Sequence, residues 1–376
     1  MFVERTPEES EQRVEAGTTW EEFCDQLKLA GSIITRDSSP SGALDRSEGF
    51  RYLSRMLRAA LETFVENSDP MAPSLGRVVH ETAKMGADNP DNRYYNAPLR
   101  GDQEYLIRGN RGSVHYLAFA TQVGHYGRGG GMPPTGFIEA KDLQLDPDGG
   151  FELVISKQRH AGNWLPMSDE TGTLIIRQTF LDREHEVPAE LHLELLNQPP
   201  APGQLTPQRI DQGLGQSSAL VLGAAALFAS WAEGFQAHTN QLPEFSAETS
   251  RAFGGDPNIT YYHSYWRLDP DQALVIETPV PACDAWNFQL NNHWMESLDY
   301  RYFTIHVNKH TARYRADGSV RIVVAHRDPG VPNWIDTCGH DRGTMCFRWV
   351  RAEATPQPRT RVVILAELAS EIEQPG

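Results

Sequence analysis

Cysteine is scarce in this chain. Cys24, Cys283, Cys338 and Cys346 are the only four in 376 residues, and no two stand at a Cys-x-x-Cys spacing. That excludes a disulfide-stapled scaffold and the common thiolate zinc and redox motifs. Positive charge is scarce as well: 34 Lys and Arg face 50 Asp and Glu, a formal charge of −16. A field of that sign repels nucleic acid and anionic lipid, so neither is an expected partner, and an acidic solvated surface accounts for the imbalance. Long apolar runs are missing too. The longest, residues 219–232, has 14 residues, short of the roughly 20 that span a bilayer. Residues 1–12 are charged and carry no apolar h-region, so no secretory signal is read there. The expectation is a cytoplasmic, reduced protein with no membrane partner. The sequon Asn258-Ile259-Thr260 carries no weight without export.

Cofactor signatures are absent in the same way. There is no Gly-x-Gly-x-x-Gly fingerprint and no Gly-x-Ser-x-Gly elbow, which removes a dinucleotide site and weakens a serine hydrolase. The glycine-rich run at residues 124–134 lacks the Lys-Ser/Thr ending of a phosphate loop. It reads as a flexible lid or an edge connection. No cofactor is expected.

What the chain has in quantity is turn formers, with 31 Gly and 25 Pro beside 39% hydrophobic residues. This is a globular composition leaning toward β structure. It also has an internal repeat. Asp148-Gly149, Asn163-Trp164, Gly172-Thr173 and Arg177 recur as Asp317-Gly318, Asn333-Trp334, Gly343-Thr344 and Arg348, with an offset that drifts only from 169 to 171. More loosely, Tyr94-Tyr95 lines up with Tyr261-Tyr262. Each copy follows an apolar pattern of 3–4 spacing: Phe50, Leu53, Leu57, Leu61 and Phe64 before the first, and Leu220, Ala224, Leu227, Trp231 and Phe235 before the second. Both patterns predict amphipathic helices. Thr18 with Glu21 resembles a capping box for one more helix, with Trp20, Phe23 and Leu27 on its face. Within each copy, short aliphatic and aromatic runs at 151–155, 174–180, 303–308 and 320–325 predict strands. No helix pattern separates them, which disfavours a parallel α/β sheet.

The reading is therefore α+β, mainly β: two tandem β-sandwich or jelly-roll modules, each preceded by an amphipathic helix. Residues 1–44 form an N-terminal helical segment, 45–197 the first repeat, 198–215 a Pro-rich linker, 216–368 the second repeat and 369–376 a tail.

The anchors Asp317-Gly318-Ser319, Asn333-Trp334 and Arg348-Trp349, and Asn163-Trp164-Leu165-Pro166 with Arg177, resemble the bacterial family catalogued as domain of unknown function 1214. The first copy is the nearer match to its Asn-Trp tail. The resemblance implies a β-sandwich or jelly roll and no general activity. Ile335-Asp336-Thr337-Cys338 departs from the pattern, where Leu-Pro follows the Asn-Trp pair.

Residues kept in both copies suit the fold: Trp164 and Trp334 sealing the sandwiches, Asn163 and Asn333 capping turns. Differences between copies are the better guide to chemistry. After its Asn-Trp the second copy has Asp336, Cys338, His340 and Asp341, a carboxylate and imidazole set fit for acid–base work; the plain alternative is a polar loop. On a strand, His306, Asn308 and His310 share a face. They would suit an anionic substrate group or a divalent metal, although the His-x-His spacing of a strand-borne zinc site is missing; the alternative is a solvated face. Trp286, Phe288, Trp294, Tyr300, Tyr302 and Phe303 either line an aromatic pocket or fill a core. The expectation is an enzyme acting on a small apolar or aromatic metabolite by non-redox chemistry. His306, His310, His340 and Asp336 are the catalytic candidates. Trp294, Tyr302, Asn333, Trp334 and Arg348 are the candidates for substrate binding. The alternative is a non-catalytic ligand-binding or assembly protein, with the aromatic stretch burying a homo-oligomer interface.

Overall fold

The computed structural model describes residues 4–126, 131–196 and 198–372; Gly127 to Gly130 of the glycine-rich run lie outside the described residues. Among the described residues sixteen strands form four sheets, two in each repeat. In the first repeat, β1 (Asn92–Pro98), β7 (Thr171–Thr179), β3 (Tyr116–Val123) and β4 (Pro134–Glu139) make one sheet in that order. Its partner runs β6 (Trp164–Pro166), β5 (Gly150–Ser156), β2 (Tyr105–Asn110), β8 (Glu190–Leu195).

The second repeat restates this strand for strand. Its sheets run β12 (His306–Asn308), β11 (Ala285–Leu290), β15 (Arg342–Val350), β9 (Ile259–Arg267), and β14 (Trp334–Asp336), β13 (Val320–Ala325), β10 (Gln272–Thr278), β16 (Arg359–Ile364). Even the parallel pairs correspond, β5 with β6 and β13 with β14, in sheets otherwise antiparallel. The segment 303–305, expected as strand, is instead turn and coil before β12.

Each sandwich closes over its own core. Ile107, Phe119, Leu153 and Ile176 meet in the first, and Ile276, Phe288, Ile322 and Phe347 in the second. Alternation turns the other residues of these strands outward. The outward face of the β1–β7–β3–β4 sheet meets residues 254–258 of the second repeat, and that of the β12–β11–β15–β9 sheet is partly covered by a layer of helices, the longest of which packs on β9 and β15.

Those helices are α1 (Pro7–Ala16), α2 (Thr18–Thr35), α3 (Ala43–Leu61) and α4 (Pro207–Phe235). The capping box forms one helix earlier than expected. Thr6 caps α1, with the Thr6 N–H donating to Glu9 at 2.8 Å and the Glu9 N–H donating to Thr6 Oγ1 at 3.2 Å. α2 starts instead on Gly17, without a side-chain cap, and leaves Trp20 exposed while burying Phe23. In α3 the buried stripe is Gly49, Tyr52, Met56, Ala59 and Ala60, and Phe50 stays exposed. Small residues win that face because it packs closely on α4 and on Trp294. α4 begins at Pro207 with Thr206 accepting from the Arg209 N–H, ahead of the expected boundary at 216. By length and composition α4 would cross a bilayer, yet more than half of its apolar stretch is buried against α2, α3 and the sheets. A final helix, α6 (Leu365–Ile372), follows β16 and sets Leu365 and Leu368 on the outer face of β10 and β13.

Candidate ligand-binding site

The sheets of the two repeats and the helix that links them enclose a cavity of about 220 Å³. Strand alternation decides which side chains face it. Arg177 on β7 lies opposite Tyr94 on β1, and Arg348 on β15 lies opposite Tyr261 on β9. All four line the cavity, together with His263, two positions beyond Tyr261. The two Arg–Tyr pairs are the same pair from each copy, meeting across the duplication.

The turns that hold the tyrosines are duplicated as well. Tyr94 Oη accepts from the Asn89 N–H at 3.1 Å, and Tyr261 Oη from the Asp256 N–H at 3.3 Å. Asn89 and Asp256 each accept through the side chain from the N–H two residues on, at 2.9 and 3.0 Å. These side-chain turns fix the backbone before each strand. Burial raises the pKa of both phenols, which stay protonated.

The roof is aromatic. Phe228 and Trp231 come from α4, Phe245 from the chain after it, and Phe253 from the end of α5 (Ala247–Ala252). Phe228 and Trp231 pack edge to face at 5.7 Å, and Trp231 and Phe253 likewise at 5.3 Å. Beside this chamber lies an outer one of about 510 Å³, which shares Phe64, Val78 and His125 with it. A single π-helical turn, Glu62–Glu66, extends α3 and sets Phe64 into the shared wall. Such widened turns are frequent at functional sites.

The electrostatics are unusual for an acidic protein. Neither Arg177 nor Arg348 has a carboxylate within 4.0 Å among the described residues. Arg348 is buried and bound by the protein: Nη1 donates to Gln289 Oε1 at 2.6 Å and Asn287 Oδ1 at 3.2 Å, and Nη2 to the Ala87 carbonyl at 2.5 Å. Among the described residues Arg177 commits only Nη2, to the Gly254 carbonyl at 2.5 Å. It is surrounded by protein yet keeps accessible surface, and that surface is cavity wall. Burial works against its charge, but Asp256 and the surrounding phenols outweigh that and raise its pKa. Asp88, also in the wall, is pushed upward by burial despite Lys84 and the hydrogen bonds from Ser297. Burial, helped by the charge of Arg348, pushes His263 down to about 3, so its ring is neutral.

Of the residues expected from sequence, only Arg348 lines this cavity. His306 and Asn308 do share a face, and both bind the buried carboxylate of Asp91, at 3.2 and 2.9 Å. His310 lies beyond the end of β12, exposed, 3.4 Å from Asp182. His340 is buried against α3, with Nε2 2.8 Å from Glu48 Oε2 and Nδ1 2.9 Å from the Thr337 carbonyl. Asp336 accepts from the Cys338 N–H at 2.8 Å. The four catalytic candidates thus have separate partners and are not brought to one cavity. Among the described residues no group of three His, Cys, Asp or Glu side chains is placed to hold a metal ion.

Trp294 is core, its Nε1 donating to the Asp45 carbonyl at 2.8 Å, and Tyr302 is 75% exposed beneath Arg301. Asn333 and Trp334 hold a corner of the sandwich. Asn333 Nδ2 donates to the Arg313 and Arg321 carbonyls, both at 2.8 Å, and Trp334 Nε1 to the Ala325 carbonyl at 3.0 Å. Asn163 and Trp164 repeat these bonds with Gln144, Glu152 and Ser156.

Tyr94, Arg177, Tyr261, His263 and the α4 aromatics were not singled out as site residues from sequence. One signal was available: Arg177 and Arg348 interrupt nearly continuous apolar strands, Leu174-Ile175-Ile176 and Met345-Cys346-Phe347. A charge there has to find a partner indoors.

Two copies of one sandwich, joined by a helix that roofs the space between them, define a duplicated β-sandwich protein with an internal cavity of ligand size. Residues 266–354, in the second repeat, match the model of the family described as protein of unknown function DUF1214. The first repeat, expected as the nearer match, lies outside the matched residues. An uncharacterized protein from Burkholderia cenocepacia is similar at 50% identity, over 95% of this chain and 99% of that one, with a TM-score of 0.93. The VPA0106 protein from Vibrio parahaemolyticus is more distant, at 12% identity and a TM-score of 0.49 over 90% of this chain and 100% of that one. No curated protein matches the chain.

Proposed function

We propose that this protein binds a small organic anion in the cavity between its repeats. Arg177 takes the anionic group, Arg348 adds its charge, and the α4 aromatics hold an apolar or aromatic body. The observation that carries this reading is the pair of interior guanidiniums with no carboxylate partner in a chain of net charge −16. Interior cations are ordinarily paired, because desolvating them alone is costly. A bound carboxylate would complete Arg177 with two parallel N–H···O bonds.

The size argues for a single ring. A cavity near ~150 Å³ admits benzene, and this one measures about 220 Å³, so a monocyclic acid fits. Turnover is not part of this proposal, since His306, His310, His340 and Asp336 each have their own partners. Calorimetric titration tests it, with benzoate, phenylacetate and cyclohexanecarboxylate against benzamide. The acids should bind saturably and benzamide at least tenfold more weakly, with the difference lost in Arg177→Gln. Equal binding of benzoate and benzamide, or no binding of any acid, overturns the reading.

A further inference from the structure

His263 is a polar group of the cavity wall that the anion does not use. Its imidazole is 8% exposed and is flanked by two parallel rings, Phe235 at 5.6 Å and Tyr261 at 5.7 Å, with Phe245 edge-on at 5.1 Å. Rings on three sides leave it no freedom to turn toward another partner. On one edge, Nε2 faces Cys346 Sγ at 3.9 Å; that sulfur has a shorter contact, 3.7 Å, to the Phe347 carbonyl. A thiol that donates to that carbonyl leaves its sulfur as an acceptor, which matches the tautomer with N–H on Nε2 and a lone pair on Nδ1. Nδ1 is buried and has no hydrogen-bond partner among the described residues. On β1, in the wall contributed by the other repeat, the carbonyl oxygen Oδ1 of Asn92 is also buried, unpartnered and part of the same cavity.

Native proteins seldom leave buried acceptors unmet, and those that stay unmet call for a specific explanation such as a missing ligand. We infer that the ligand of this cavity carries a hydrogen-bond donor that meets Nδ1 of His263, which makes it a hydroxylated monocyclic acid rather than a plain one. This rests on the anion-site reading above. The acid group answers Arg177, the ring answers Phe228 and Trp231, and the hydroxyl answers the imidazole. His263 is then the residue that sets specificity, because a site built to accept a hydroxyl proton rejects the analogue that lacks it. Its counterpart in the first repeat, two positions beyond Tyr94, is Asn96, which lines the same cavity. The two copies thus differ in the acceptor they supply.

The test compares benzoate with 2-, 3- and 4-hydroxybenzoate by calorimetric titration of the full chain. At least one hydroxy isomer should bind about tenfold or more tightly than benzoate. In His263→Phe the ratio of those dissociation constants should fall to about one, and His263→Asn should restore part of it. Should the variants fail to fold, ¹⁵N spectra of the wild-type imidazole give the same answer. The Nδ1 resonance should move on adding the preferred hydroxybenzoate and not on adding benzoate. Binding of benzoate and all three isomers with one affinity, a preference that persists in His263→Phe, or an unmoved Nδ1 resonance overturns this inference and leaves the anion site standing. Absence of binding by all four acids overturns both.

Discussion

Arg177 and Arg348 occupy the same strand position in the two repeats, each opposite a tyrosine, yet they commit their donors differently. Arg348 donates three hydrogen bonds to Ala87, Asn287 and Gln289, and Arg177 donates one, to Gly254. Arg348 is tied to the fold, and Arg177 keeps part of its surface on the cavity. Replacing each with methionine should therefore lower stability by different amounts. Arg348→Met strips donors from a buried carbonyl and two amides and should cost about 2–4 kcal/mol. Arg177→Met removes one hydrogen bond and a charge that Asp256 and the surrounding phenols favour, and should cost about 1 kcal/mol while abolishing acid binding. Urea unfolding of both variants, with and without benzoate, checks this; an equal cost for the two in the ligand-free protein contradicts it.

His340 and Glu48 join the second repeat to α3 through a buried contact of 2.8 Å. Burial opposes the charge on both, but their hydrogen bond and mutual attraction prevail, so the His340 pKa is raised and that of Glu48 lowered. The His340 contribution is full below the ordinary histidine value, about 6.5, and is lost as pH rises through its raised folded value. The Glu48 contribution is present above the ordinary carboxyl range and is lost as pH falls through its lowered folded value. The pair is thus strongest in mildly acid solution. His340→Gln should cost about 3 kcal/mol at pH 5.5 and clearly less at pH 8.5. Denaturant curves at both values measure it, and a pH-independent cost would exclude a charged pair.

Gly49 faces the α3 interface with no room for a side chain. A Cβ there would sit 2.6 Å from Ile34 Cγ2 and 2.9 Å from the Trp294 ring. Alanine would gain up to about 1 kcal/mol of helix propensity, but it must displace a buried indole that is hydrogen-bonded to Asp45. Overpacking of that kind costs about 1–3 kcal/mol. Gly49→Ala should therefore lower the melting temperature by several degrees, and an unchanged or higher Tm would show that Trp294 yields freely.

Asn163 and Asn333 make the same three bonds in the two repeats, two as donor and one as acceptor. Asn163→Ala and Asn333→Ala should each cost about 1–2 kcal/mol. Their separate settings make the double variant additive within about 0.5 kcal/mol. Thermal unfolding of the three variants decides, and a neutral Asn163→Ala would mean that only the second corner needs its clamp.

The duplication was legible because its markers are local. Asp-Gly turns, Asn-Trp corners and short apolar strands each act within a few residues, so sequence order preserves them. The start of α4 was equally local, in Thr206-Pro207, a cap residue followed by a proline suited to the first helical turn. The apolar spacing further on drew the boundary too late. The faces of α2 and α3 were harder, because Trp20 and Phe50 fit a periodic stripe that packing leaves exposed. The cavity was not legible, since its walls come from β1, β7, β9, β15 and α4. Nothing in sequence order shows that Tyr94 and Tyr261 meet. Asn96 on β1 against His263 on β9 is a further difference between the copies, outside the stretch of residues 306–340.

The seating of α1–α3 on α4 has a consequence for synthesis. The N-terminal helices are complete at Leu61, but α4 begins only at Pro207, 146 residues later. At roughly 5–20 residues per second, the nascent chain presents the apolar faces of α2 and α3 for roughly 7–30 s before their partner leaves the ribosome. The first sandwich can fold in that interval, while the helical layer waits. Expression should therefore depend on chaperone supply more than the stability of the finished protein suggests.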